Sequence, residues 1–142
     1  MVSTPWSKLD FPSRLERVSP LLDDIVADAR DAGFDERERF GIRLALDEAV
    51  TNAVKHGNEL DPRKTVYVAW RTEPGLLEVT VRDEGPGFDP LEVPDPTAPE
   101  NLTKPSGRGV MLMKNYMDEV FFSETGNQVT LKKNQAVKAE SS

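Results

Sequence analysis

The sequence predicts an α+β fold: a two-layer α/β sandwich with a mixed, mainly antiparallel sheet covered on one face by helices. Three observations predict it. Two pairs of short segments, rich in β-formers and each pair joined by a tight turn, read as hairpins. Two long stretches space their apolar residues by three and four, the period of an amphipathic helix. Hairpins and helices are massed separately along the chain, which favours segregated layers over a parallel βαβ sheet.

The elements follow in order. Trp6 to Phe11 reads as a first strand with Leu9 and Phe11 on one face, stopped by Pro12 and Ser13. Leu15, Val18, Leu22, Ile25 and Ala29 mark the first helix. Pro20 either kinks that helix or opens its main part, with Ser19 as N-cap and Pro20 at the first helical position, and Gly33 closes the helix. Asp35 is a good N-cap for a second helix, with Glu36 and Glu38 favouring its positive end. That helix should run to about His56, stopped by Gly57, with Ile42, Ala45, Leu46, Ala49 and Ala53 as its core stripe. His56, the only histidine, suits a helix C-terminus, where a cation favours the dipole. Thr65 to Arg71 and Leu76 to Arg82 form one hairpin around Glu73-Pro74-Gly75. Gly109 to Met117 reads as a third helix. Glu119 to Ser123 and Gln128 to Lys132 form the second hairpin around Glu124 to Asn127.

A domain over residues 1–133 accounts for these elements, leaving a polar tail at 134–142. Its one long loop, 85–107, holds six of the chain's 11 prolines. Loops of that length inside a compact domain are usually functional or disordered.

The 142 residues fit one domain with a real core, and 37% apolar with 30% charged residues is an ordinary globular balance. The net charge of −7, from 25 acids and 18 bases, argues against direct nucleic-acid binding, which needs a basic face. The absence of cysteine excludes disulfides, cysteine nucleophiles and thiolate metal sites. The N-terminus lacks the basic start and apolar run of a signal peptide, and no window is apolar enough for a membrane helix. The cytoplasm is the expected compartment.

Three segments carry chemistry. Glu48 and Asn52 are four residues apart on the second helix, so at roughly 100° per residue their side chains lie roughly 40° apart. A carboxylate can take a proton, and an amide oxygen can ligate a hard cation such as Mg²⁺. Ala49 and Ala53 beside them are small enough for a ligand to approach, and Lys55 can offer a cation to phosphate. Asp83-Glu84-Gly85-Pro86-Gly87 follows a strand; Asp83 can accept from an exocyclic amine such as adenine N6, and Gly85 and Gly87 let backbone lie against a base. Gly107-Arg108-Gly109 opens a helix, where dipole and glycine backbone suit phosphates and Arg108 adds a charged fork. Neither the P-loop nor the dinucleotide fingerprint occurs.

In this order and spacing the segments resemble the boxes of the histidine-kinase-like (GHKL) ATPase superfamily. E-x-x-x-N-A-x-x-H-G at Glu48 to Gly57 resembles its N box. D-x-G-x-G at Asp83 to Gly87 resembles its first glycine box, and G-R-G-V-M-L-M at Gly107 to Met113 its second. The resemblance covers nearly the whole chain. Within that superfamily the chain is most similar to the small anti-sigma factor serine/threonine kinases of bacterial partner-switching systems, which share the N box, the G-R-G and a final V-x-L-x-K strand, here Val129 to Lys133. The resemblance implies a Bergerat-type ATP-binding fold with a lid at 85–107. It implies that Asn52 ligates Mg²⁺, that Asp83 and Gly87 hold adenine with Gly85 in the same ATP-binding segment, and that Gly107, Arg108, Gly109, Val110 and Met111 hold phosphates. Glu48 becomes the base that deprotonates a serine or threonine of an antagonist protein. One departure stands out: Gly126-Asn127 replaces the Gly-Thr of many members, whose threonine supports the adenine contact.

The function expected is an ATP-dependent protein serine/threonine kinase that phosphorylates an anti-sigma factor antagonist, sequesters a sigma factor and forms a homodimer. The alternative is a non-catalytic binding module of the same fold, gated by nucleotide. A detached sensor-histidine-kinase catalytic domain is less favoured, because the chain starts directly at the ATP domain without dimerisation helices or an acceptor histidine ahead of it.

Overall fold

The computed structural model describes residues 5–85 and 107–135, with only the backbone of Gly107 and Arg108 described. The interior of the expected lid, 86–106, lies outside the described residues, as does the tail from 136.

Five strands form one sheet: β1 (Ser7–Pro12), β2 (Thr65–Glu73), β3 (Leu76–Arg82), β4 (Glu119–Phe122) and β5 (Gln128–Asn134). Their order is β1-β2-β3-β5-β4, and every ladder is antiparallel, so among the described residues the sheet is not mixed. Each neighbouring pair in sequence is a hairpin or is spanned by helices, which suits antiparallel pairing.

The strands alternate because one face is covered. Val66, Val68 and Trp70 of β2, Leu77, Val79 and Val81 of β3, and Val129 and Leu131 of β5 are buried in one core. Register stacks them: Val68 lies opposite Val81, and Val79 opposite Leu131. Phe11 joins this core opposite Val66, whereas Leu9, on the same face opposite Val68, stays 39% exposed because β1 is an edge strand. The other face is polar, with the Arg82 guanidinium 4.1 Å from the centre of the Tyr67 ring.

Three helices, α1 (Val18–Asp31), α2 (Glu36–Asn52) and α3 (Gly107–Tyr116), cover the apolar face. A 3₁₀ turn over Leu15–Arg17 leads straight into α1, so the helix starts before Ser19. Pro20 then falls in the first turn, where a missing N–H breaks no helical hydrogen bond. Val18, Leu21, Leu22, Ile25 and Ala29 are buried, while Leu15 is exposed. The Trp70 indole N–H donates to Asp28 at 2.8 Å, fastening α1 to the sheet.

Gly33 ends α1 at φ 104°, and the Phe34 N–H returns to the Ala29 carbonyl, which satisfies the open helix end. Asp35 caps α2 in a reciprocal box with Glu38, at 2.7 and 2.9 Å. Ile42, Ala45, Leu46 and Ala49 are buried along α2 as the spacing predicts. The β2–β3 turn needs Gly75 at φ 73°. The described structure continues two residues past the boundary expected at 133. Asn134 completes β5, and Gln135 donates from its backbone to Gly75 and from its side chain to Gly33, both at 2.7 Å.

The end of α2 departs most from expectation. The α-helix stops at Asn52, and Ala53–Gly57 forms a π-helical turn closed by the Asn58 N–H on the Ala53 carbonyl at 2.9 Å. Such widened turns are rare and cluster at functional sites. No helix among the described residues is long and apolar enough to cross a membrane.

Candidate functional site

Two clusters form where α2 and its π-helical turn meet the ends of β3 and α3. The first joins Glu48, Asn52 and Gly109. A Cβ placed on Gly109 would lie 2.7 Å from Glu48 Oε2 and 3.5 Å from Asn52 Nδ2. The sequence thus folds one turn of α2 directly against the start of α3. Both side chains are half-buried at the edge of the core, and Gly109 is buried. Ala49 and Ala53 are 2% and 5% exposed and belong to the core. Their small size serves packing, not the open ligand approach that the sequence suggested.

The second cluster surrounds Asp83, one residue beyond β3. A Cβ on Gly57 would lie 2.2 Å from the Asp83 carboxylate, and one on Gly85 would lie 2.0 Å from the Gly57 carbonyl oxygen. Both glycines are therefore required by close approach, since neither neighbour leaves room for a methyl. The Gly85 N–H donates to Asp83 Oδ1 at 2.8 Å. Burial pushes the Asp83 carboxyl above its usual 3.8, and the Gly85 hydrogen bond and the charges of Lys64 and Arg82 only partly offset this. A largely buried carboxylate beside glycine backbone suits a planar ligand that donates an N–H.

The remaining expected residues are distributed as follows. Lys55 is exposed on the π-helical turn. Gly107 opens α3, and Val110 is buried at 7%. The Met111 side chain is 62% exposed, so any contact there would come from its backbone. Gly87 and the Arg108 side chain lie outside the described residues. Asn127 serves through its backbone: its carbonyl accepts the Asp83 N–H at 2.9 Å. Its side-chain oxygen takes the Ser123 and Thr125 hydroxyls at 3.3 and 2.8 Å.

Sequence reasoning did not single out Asn58 or Ser13, both buried and both bonded near Asp83. An asparagine just past a helix stop was the one available signal, and it is shared by ordinary capping residues.

No group of three histidine, cysteine, aspartate or glutamate side chains that could hold a metal occurs among the described residues. Mg²⁺ bound to a nucleotide asks for less: one or two protein oxygens, with phosphates and water completing its shell. At the cradle that a Cβ on Gly109 would fill, Glu48 presents Oε2 and Asn52 presents Nδ2, so Asn52 would offer its oxygen to a cation there once its amide is turned over.

Comparison with known proteins places this arrangement. Residues 11–133 match the family described as the histidine kinase-like ATPase domain. The anti-sigma F factor of Heyndrickxia coagulans is 40% identical over 109 residues, which cover 71% of this chain and 73% of that one. The anti-sigma F factor of Geobacillus stearothermophilus is 36% identical over 126 residues, covering 86% and 85%. Among solved structures, the RsbU and RsbW domains of a Mycobacterium tuberculosis protein superpose with a TM-score of 0.61 at 16% identity, covering 93% of this chain and 32% of that one. That last likeness concerns the fold. The family match spans residues 11–133 and these relatives exceed one-third identity over most of their length, so the chain belongs to the histidine kinase-like ATPase domain family, as a relative of the anti-sigma F factors.

Proposed function

We propose that the chain is an ATP-dependent anti-sigma factor kinase: it binds Mg-ATP, phosphorylates a serine or threonine of an antagonist protein, and sequesters a sigma factor. The observation that carries this reading is the packing of Glu48 against Gly109 beside Asn52. It sets a carboxylate and an amide beside the positive end of α3, which supports a proton acceptor and a cation ligand working together there. The family membership and the anti-sigma F relatives support the same reading.

Phosphoryl transfer needs positioning and charge neutralisation more than covalent chemistry. Asp83, Gly85 and Gly87 would hold adenine, with Asp83 accepting from the exocyclic amine. Gly107, Arg108, Gly109 and the backbone of Val110 and Met111 would hold the phosphates at the start of α3, with Lys55 as a further cation. Asn52 would ligate Mg²⁺, whose charge neutralises the phosphate oxygens. Glu48 takes the proton of the acceptor hydroxyl. The hydroxyl oxygen forms the new P–O bond to the γ-phosphorus, and the bond to the β-phosphate oxygen breaks with its electrons leaving on ADP. Two copies of the chain would form the working dimer, which sedimentation tests.

Incubation with γ-labelled Mg-ATP and a candidate antagonist tests the reading. Acid-stable label on serine or threonine is the expected result. Nucleotide-dependent binding of the partner without label transfer would replace the kinase by a gated binding module, and acid-labile phosphohistidine would replace it by a sensor-kinase domain.

A further inference from the structure

Three polar side chains are buried among the described residues, Ser13, Asn58 and Asp83, at 2%, 0% and 9% exposure. Hydrogen bonds link all three to one turn. Asn58 Nδ2 donates to Ser13 Oγ at 2.8 Å and to the Thr65 carbonyl at 3.0 Å. Asn58 Oδ1 accepts the Glu84 N–H at 2.7 Å. Ser13 Oγ in turn donates to the Lys64 carbonyl at 2.8 Å. One amide therefore holds the end of β1, the start of β2 and the turn after β3, with both its donors and its acceptor engaged.

The turn it holds is the one that presents Asp83. Successive backbone N–H groups of that turn are fixed from two sides: Glu84 by Asn58, and Gly85 by Asp83 Oδ1. The Glu84 carboxylate closes the other flank by accepting the Thr65 N–H. The chain after Asn58 runs through two consecutive left-handed, non-glycine residues, Glu59 at φ 54° and Leu60 at φ 60°. Such backbone persists only where surrounding bonds over-determine it. Asn58 supplies several of these bonds, and the Leu60 N–H on the Val54 carbonyl at 2.8 Å supplies another.

We infer that Asn58, backed by Ser13, is a positioning residue for base recognition: it fixes the Asp83–Gly85 turn so that the Asp83 carboxylate meets an exocyclic amine at one set angle. Asn58 itself touches no ligand. The inference rests on the nucleotide site proposed above. Its consequence is selectivity, because a fixed acceptor rejects a base that lacks the amine far better than a loose one does.

The test compares ATP with inosine triphosphate, in which a carbonyl replaces the exocyclic amine, by titration calorimetry on the full chain. The intact protein should prefer ATP. Asn58→Ala should weaken ATP by about tenfold while leaving inosine triphosphate within about twofold, so the preference collapses. Ser13→Ala, which keeps the amide in place, should shrink the preference in the same direction by about threefold and serves if Asn58→Ala does not fold. Equal weakening of both nucleotides, or an unchanged preference, would overturn the inference, since a merely structural role moves both together. An intact protein that binds neither nucleotide would instead sink the nucleotide site itself.

Discussion

Asp83 and Glu48 are both carboxylates at the rim of the α2 unit, yet their surroundings differ in kind. Asp83 is 9% exposed, a methyl on Gly57 would lie 2.2 Å from its carboxylate, and the other carboxylate oxygen is tied down by the Gly85 N–H. Glu48 is half-buried, and its close neighbour, Gly109, faces the far end of a flexible side chain. The end that would read the base is built before any ligand arrives, from buried groups bonded to one another. The end that would do chemistry carries its carboxylate at the tip of a longer, less buried side chain. Recognition of a shape rewards a rigid acceptor, whereas a proton acceptor must adjust to an incoming hydroxyl.

Substitutions that add one methyl group test this contrast most sharply. Gly85→Ala sets its Cβ 2.0 Å from a backbone oxygen that cannot turn away. It should cost about 1–3 kcal/mol of stability and remove nucleotide binding, read by denaturant unfolding and calorimetry. Gly109→Ala brings its new methyl nearest to atoms of the Glu48 carboxylate and the Asn52 amide, both at the ends of side chains. It should leave stability within about 1 kcal/mol and nucleotide binding detectable, while slowing phosphoryl transfer by about tenfold or more as Glu48 is displaced. If both variants lose binding equally, the two ends do not differ as described.

Acid separates the ends next. Burial raises the Asp83 carboxyl above 3.8, so the folded chain holds that proton more tightly than the unfolded chain. In the window between the usual and the raised value, lowering the pH therefore adds stability through this group, and raising it removes stability. Base recognition runs the other way: the ratio of ATP to inosine triphosphate affinity should fall as pH drops through the raised value. Using the ratio cancels the titration of the phosphates. The step should vanish in Asp83→Asn; a step that persists there belongs to another group. The smallest effect is expected far from both ends. Asp35→Ala removes the α2 capping box at a cost of about 1 kcal/mol with nucleotide affinity unchanged.

How far the sequence revealed this molecule depended on how local each signal was. The strand Leu76–Arg82 is found at the expected residues, because period-two alternation and the Pro-Gly turn are both written in adjacent positions. The sequence leaves the start of α1 open between Leu15 and Ser19, because a 3₁₀ turn feeding the helix carries no local mark that decides whether Pro20 opens it or lies within its first turn. The site divides the same way. Glu48, Asn52, Asp83 and the glycines are legible as motifs because carboxylates, amides and glycines at fixed spacing carry their chemistry with them. Asn58 was not legible, since its burial depends on Ser13, 45 residues earlier, and on a π-helical turn that no periodicity announces.

Glu48 remains the residue on which the account turns. Transfer of γ-labelled phosphate to an antagonist, compared between the intact chain and Glu48→Gln at matched nucleotide saturation, tests it most directly. The account predicts that Glu48→Gln binds Mg-ATP within a few-fold of the intact chain and transfers about 10²–10⁴ times more slowly. Transfer by Glu48→Gln at the rate of the intact chain would contradict it.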